Sequence, residues 1–187
     1  MTTVLQGTVE DYLASLGSGS AVPGGGSAAA LAAAMGVALL SMVAKISARK
    51  ALEEQDRARL LALVPELDAL QRRLGELSQE DIDAYRAVID ARKARASPND
   101  LANAVLHAAE VPLDSATQAA RGLDLLPEIR ARVWAMTQSD LEAGRALLEV
   151  GLRAALANVA VNLPDLDADA RRRIEGPYQQ LKASVPG

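Results

Sequence analysis

Pro23-Gly24-Gly25-Gly26-Ser27, running straight into the uncharged segment 28–44, decides how this chain is read. Ala28, Ala29, Ala30, Ala32, Ala33, Ala34, Gly36 and Ala38 leave every face of the predicted helix thin, so other helices can pack against it closely on several sides. Three glycines ahead of such a helix let backbone N–H groups and the positive end of the helix dipole approach a ligand or a partner chain without side-chain obstruction. A proline followed by glycines also makes an ordinary turn, and the segment alone does not choose between the two readings.

By length and lack of charge, Ser27 to Ala44 would also cross a bilayer. A buried helix of a soluble protein is expected instead, because alanine contributes little to insertion, Lys45, Arg49 and Lys50 follow at once, and no second span is expected. Met1-Thr2-Thr3-Val4-Leu5 has no basic start and the apolar run begins late, so a signal peptide is not expected.

The 187 residues fit one domain, 1–187, with a full core. Hydrophobic residues make up 50% of the chain but aromatics only 2%, and phenylalanine is absent, so the core must come from Ala, Leu and Val at short interhelical distances. A formal charge of -4 and few rings for base stacking argue against nucleic acid as a partner. Zero cysteines exclude disulfides and thiol nucleophiles, and a single histidine would make a zinc site lean on carboxylates, so no metal is expected. The default compartment is the cytoplasm.

Helices are predicted at about 8–17, 26–48, 50–75, 79–95, 98–121, 126–135, 140–163 and 167–184. Ser78-Gln79-Glu80-Asp81, Ser97-Pro98-Asn99-Asp100 and Ser139-Asp140-Leu141-Glu142 each read as a serine N-cap with acid close behind, and Gly75, Gly122 and Pro164 read as stops. Short connections then make an all-α, up-and-down antiparallel helical bundle. With so little aromatic volume, such a bundle is expected to bury small-residue faces against a symmetric copy as a homodimer.

The order of features resembles the cyclodeaminase/cyclohydrolase family, the C-terminal half of formiminotransferase-cyclodeaminase and its stand-alone bacterial relatives. The matching runs are Tyr12-Leu13-Ala14-Ser15, the glycine segment through Leu31, Met42-Val43-Ala44, Glu80-Asp81-Ile82-Asp83-Ala84-Tyr85, Glu110-Val111-Pro112-Leu113, Ser139-Asp140-Leu141 and Asn158-Val159-Ala160-Val161-Asn162-Leu163. The resemblance implies folate chemistry: 5-formiminotetrahydrofolate closes to 5,10-methenyltetrahydrofolate with loss of ammonia. Alternatively, methenyltetrahydrofolate is hydrolysed, or a non-catalytic member binds folate or acts as a scaffold. It implies no metal and no redox cofactor, the tetrahydrofolate derivative being the substrate, and no membrane partner. Asp81 and Asp140 are the candidate catalytic acids. Gly24, Gly25, Gly26, Ser27, Lys45, Tyr85, Ser139, Asn158 and Asn162 are the candidate substrate contacts.

Each candidate also has a structural reading. Asp81 is either an acid/base group raised by desolvation or the acid of a capping box; Asp140 either touches ligand or complements a helix dipole. Asn158 and Asn162, spaced i, i+4, either read a pterin edge or bridge helices. Lys45 either meets a glutamate tail or is a helix C-terminal cation, and Tyr85 and Trp134 either stack on a ring or fill core. Asp83 and His107 read as surface groups, and Arg171, Arg172 and Arg173 as a solvated face. One cleft lined by Gly24 to Ser27, Asp81, Asp140 and Asn158 is expected.

Overall fold

The computed structural model describes residues 3–185, and no strand occurs among them. Six helices follow in order: α1 (Val9–Leu16), α2 (Gly25–Lys50), α3 (Glu54–Lys93), α4 (Pro98–Arg130), α5 (Gln138–Asn162) and α6 (Ala168–Ser184). Short 3-10 turns at Ala135–Thr137 and Leu163–Asp165 flank α5. Helices α2 to α5 form an up-down-up-down bundle in which each packs on its sequence neighbour and α5 closes the ring against α2.

Local chemistry accounts for several helix starts. Thr8 and Asp11 form a reciprocal capping box on α1, Ser97 caps α4 with Pro98 in the first turn, and the Asp167 carboxylate accepts from the Asp169 and Ala170 N–H groups at the start of α6. Three expected features are corrected. The predicted helices 50–75 and 79–95 are one helix, α3, and 98–121 and 126–135 are one helix, α4. Gly75 and Gly122 therefore stop nothing: a Cβ on Gly75 would press on the Leu5 side chain at 2.6 Å, and one on Gly122 would meet Leu148 at 3.0 Å. These glycines allow close approach, and tertiary packing outweighs their helix cost of about 1 kcal/mol. Ser139 is not a cap either, because α5 begins at Gln138 behind the 3-10 turn.

Small residues on α2 set the spacing of the core. A Cβ on Gly151 would lie 2.9 Å from the Ala29 carbonyl oxygen, and one on Gly36 would lie 2.8 Å from the Gly144 carbonyl oxygen and 3.0 Å from the Leu148 nitrogen. Both obstacles are backbone and cannot rotate away. Gly36→Ala is accordingly expected to lose about 1–3 kcal/mol in chemical denaturation, although alanine is the better helix former.

Two helical segments, Gly25–Lys50 and Ala135–Asp165, are long and apolar enough to cross a membrane by length and composition. The second was not expected from the sequence. Their apolar windows are 61% and 39% buried within the protein, so much of the α5 apolar surface faces outward.

Candidate active site at the N-terminus of α2

The glycine segment places the first turn of α2 against α3 with no side chain between them. A Cβ on Gly26 would lie 2.6 Å from Cγ and 2.8 Å from Oδ2 of Asp81, so only glycine leaves room for that carboxylate. Asp81 is partly buried in the middle of α3, and the Ser27 N–H donates to it. Burial pushes its carboxyl up from the ordinary 3.8, outweighing the lowering effect of that hydrogen bond. The capping-box reading of Asp81 is excluded, since Ser78 lies more than six turns inside α3. Glu80, on a different side of the helix, binds Arg73 at 2.6 Å, and Arg73 also binds Asp114 of α4 at 2.8 Å.

Ser78 instead belongs to a buried hydroxyl chain. Its Oγ donates to the Ser27 carbonyl at 3.0 Å, so the Ser27 hydroxyl donates to Ser78 Oγ at 2.9 Å and the Tyr12 hydroxyl donates to Ser27 Oγ at 3.1 Å. Both serines are fully buried. Ser78→Ala would strand the Ser27 hydroxyl without its acceptor, so a loss of about 1–3 kcal/mol is expected in thermal or chemical unfolding. The sequence signal for Ser78 was present but indistinguishable from a helix cap.

Asn158 completes this cluster from α5. Its amide lies where a Gly25 Cβ would approach Nδ2 at 3.3 Å and Oδ1 at 3.6 Å, while Nδ2 donates to the Ala154 carbonyl at 2.8 Å. Asn162 bridges helices, donating to the Ala108 carbonyl of α4 at 3.0 Å. Tyr85 follows Asp81 by one turn and is 42% exposed, leaving its ring open to a neighbour.

Asp140 and Lys45 are not part of the cluster. Asp140 and Asn158 lie on one line of α5 five turns apart, a separation of about 27 Å at 1.5 Å per residue. Lys45 is five to six turns from Gly25 and pairs with Asp68 at 3.1 Å. Asp68 also accepts from the buried Ser41 hydroxyl at 2.7 Å, and these two bonds, Ser41 first, hold its carboxyl below the usual value. Ser139 is exposed beside Asp140, and Trp134 carries the Lys50 ammonium 5.3 Å from its ring at that same end. The expected single cleft is thus corrected within this chain: Gly24 to Ser27, Asp81, Tyr85 and Asn158 lie at one end of the bundle, Lys45, Ser139 and Asp140 at the other.

The remaining assignments follow their surface readings. Asp83 accepts from Gln79 at 3.1 Å, His107 is exposed, and Arg171 and Arg173 pair with Glu175 and Glu110 while Arg172 pairs with Asp169. A cavity of about 600 Å³ opens between the N-terminal segment, α1 and α3, with Tyr12, Pro23, Ile82 and Arg86 in its wall. At 100° per residue its α3 wall points away from Asp81, and it meets the cluster only through Tyr12 and Pro23.

A partly buried carboxyl raised by desolvation and set against open glycine backbone at a helix N-terminus is a candidate acid/base site on an all-helical scaffold. Residues 8–177 match the formiminotransferase-cyclodeaminase family, and the chain belongs to it. It is 33% identical over 197 residues to formimidoyltransferase-cyclodeaminase of Sus scrofa, covering 98% of this chain and 36% of that protein. It is also 33% identical over 172 residues to methenyltetrahydrofolate cyclohydrolase of Methylorubrum extorquens, covering 86% of this chain and 81% of that protein. The chain thus spans about a third of the length of the first relative and most of the second. The crystal structure of formiminotetrahydrofolate cyclodeaminase from Thermotoga maritima superposes with a TM-score of 0.84, 24% identity and 97% coverage of both chains, which establishes the helical fold.

Proposed function

We propose that this chain is a folate one-carbon enzyme that converts 5-formiminotetrahydrofolate to 5,10-methenyltetrahydrofolate and ammonia, with Asp81 as the proton carrier. The observation that carries the reading is the Asp81 carboxyl, raised by burial and pressed against the Gly26 backbone. The reaction needs one proton moved between two nitrogens. N10 attacks the carbon of the protonated formimino group, forming the N10–C bond. The N10 proton passes to the carboxylate and from there to the departing nitrogen. The old C–N bond then breaks, ammonia leaves, and the positive charge stays on the N5–C–N10 unit. A carboxyl raised by burial suits both halves of that transfer, and positioning of N10 supplies the rest of the acceleration. Gly24 to Gly26 offer backbone N–H groups to the substrate, the Ser27 N–H being held by Asp81, and Tyr85 and Asn158 offer a ring and an amide to the pterin.

The step is redox-neutral, so we assign no cofactor beyond the folate substrate. A chain without cysteine suits a reducing cytoplasm, and the outward apolar surface of α5 supports a homodimer.

Hydrolysis of methenyltetrahydrofolate to the 10-formyl form is the second reading, favoured by the match over 81% of the Methylorubrum extorquens cyclohydrolase. There the carboxylate would take a proton from the attacking water. Side-by-side kcat/KM on 5-formiminotetrahydrofolate and methenyltetrahydrofolate separates the two. The cyclodeaminase reading expects a clear preference for the first substrate; preference for the second overturns it in favour of the hydrolase, and turnover of neither overturns both.

A further inference from the structure

We infer that Ser78 is a positioning residue for the Asp81 carboxylate: together the two hold both backbone polar groups of Ser27, and that two-point hold keeps the carboxylate against the open backbone of Gly26. The part played in turnover rests on reading Asp81 as the proton carrier.

Ser78 and Asp81 stand three residues apart on one face of α3, opposite the first turn of α2. The Ser78 hydroxyl donates to the Ser27 carbonyl at 3.0 Å, and the Ser27 N–H donates to the Asp81 carboxylate. In a helix the N–H and C=O of one residue point in opposite directions along the axis, so the two bonds hold Ser27 from both ends. A slide of α2 along α3 lengthens one bond and compresses the other. The bond to Asp81 alone would leave that slide, and rotation of the carboxylate, unopposed.

Local chemistry fixes both bonds. Gly24, at the N-cap of α2, has no side chain to offer, and the Ser27 N–H is among the first amides of that helix, which have no partner within it. Asp81 therefore meets a donor that nothing else in the helix satisfies. On the other side, Tyr12 gives its proton to Ser27 Oγ at 3.1 Å and Ser27 gives its own to Ser78 Oγ at 2.9 Å, which leaves the Ser78 proton for the carbonyl. Both serines are at 0% exposure, so solvent does not replace a bond lost there.

No charged side chain contributes to the value of Asp81, which burial raises and the Ser27 N–H lowers. Gly25, Gly26 and Ser27 of α2 and Asn158 of α5 bring no charge to it. On α3 itself Glu80 is held by Arg73 and Asp83 by Gln79, and from α1 the Tyr12 hydroxyl reaches Ser27 Oγ. Loosening the hold on Ser27 removes the one lowering influence, so the Asp81 value should rise.

NMR titration of the Asp81 side-chain carboxyl, its signal identified by its loss in Asp81→Asn, and steady-state kinetics on 5-formiminotetrahydrofolate test this on three variants. Ser78→Ala removes the bond to the carbonyl and strands the Ser27 hydroxyl. Ser27→Ala/Ser78→Ala removes the same bond and strands neither serine. Ser27→Ala keeps it, because the acceptor is backbone. Ser78→Ala and the double variant should shift the Asp81 titration upward alike, move the acid limb of kcat/KM to higher pH, and lower kcat by roughly 10- to 100-fold with KM little changed. The double variant should recover much of the unfolding midpoint that Ser78→Ala loses without recovering kcat, and Ser27→Ala should shift Asp81 less than either. If Ser78→Ala does not fold, the double variant carries the same comparison. An Asp81 titration unchanged by loss of the Ser78 hydroxyl, kcat recovering together with the midpoint, or a shift in Ser27→Ala as large as in the double variant would each overturn the inference. The upward shift in a protein whose wild type turns over neither folate would uphold the hold on Asp81 and overturn the folate reading alone.

Discussion

Asp81→Asn is expected to lower folate turnover by roughly 10² to 10⁴ while raising, not lowering, the thermal midpoint at pH 7. The two effects have one origin. Burial lifts the folded-state value of Asp81 above the 3.8 of the exposed group, so the folded protein holds this proton more tightly than the unfolded chain does. The stability linked to that proton is fully present below 3.8 and is lost as pH rises through the folded value. Above the 3.8 of the exposed group the wild type bears the cost of a desolvated carboxyl that asparagine does not, and asparagine can still accept from the Ser27 N–H. The gain in midpoint should shrink as pH falls toward 3.8. A variant with less activity and more stability is the signature of a group held for chemistry; equal activity would remove Asp81 from the mechanism and leave Asp140 as the candidate acid.

Gly26→Ala should have an effect of similar size through geometry alone. The added methyl would stand 2.6 Å from Asp81 Cγ, so the carboxylate must leave its place or the first turn of α2 must move away from α3. Displacement of a catalytic group by about 1 Å costs on the order of 10² in rate. Circular dichroism should remain helical, because alanine is the better helix former and the change lies in the first turn. Gly25→Val would press on the Asn158 amide, where a Cβ already comes to 3.3 Å, and should weaken folate binding with helical content kept. Unchanged kcat/KM in Gly26→Ala would mean that the contact with Asp81 has no catalytic consequence.

The parts of the fold legible in the sequence are those where residue type leaves one option. The run 28–44 has too little side-chain volume for anything but closely packed helices, and it becomes the α2 segment on which α3 and α5 pack. Ser97-Pro98 and Pro164 carry their meaning locally, and both mark helix boundaries. Ser78, Gly75 and Gly122 do not. A serine followed by an acid three residues on is the same string whether it caps a helix or buries a hydroxyl chain in mid-helix, and only the presence of Ser27 across the interface separates the two. A glycine likewise reads as a stop until its neighbour is known, and Leu148 lies on another helix, 26 residues from Gly122 and 112 from Gly36 in the chain.

The candidate site was legible as composition more than as arrangement. Glycine backbone, the Asp81 carboxylate and the Asn158 amide meet at one end of the bundle, but shared order of motifs carries no distances. The separation of Asp140 from Asn158 was nonetheless computable, since both lie in one uninterrupted helix and eighteen residues span about 27 Å. The Tyr12, Ser27 and Ser78 hydroxyls could not be read as one chain from sequence, because each comes from a different helix.

Backbone amide shifts on titration with 5-formyltetrahydrofolate, a stable relative of the proposed substrate, test the central claim most directly. Saturable shifts should centre on Gly24, Gly25, Gly26 and Ser27, with Asp81, Tyr85 and Asn158 following the same binding curve and Thr117 and Ser184 unmoved. Shifts confined to the cavity beside α1, at Gly7, Thr8 and Arg86, or no saturable shift at all, would contradict the assignment of the α2 N-terminus as the folate site.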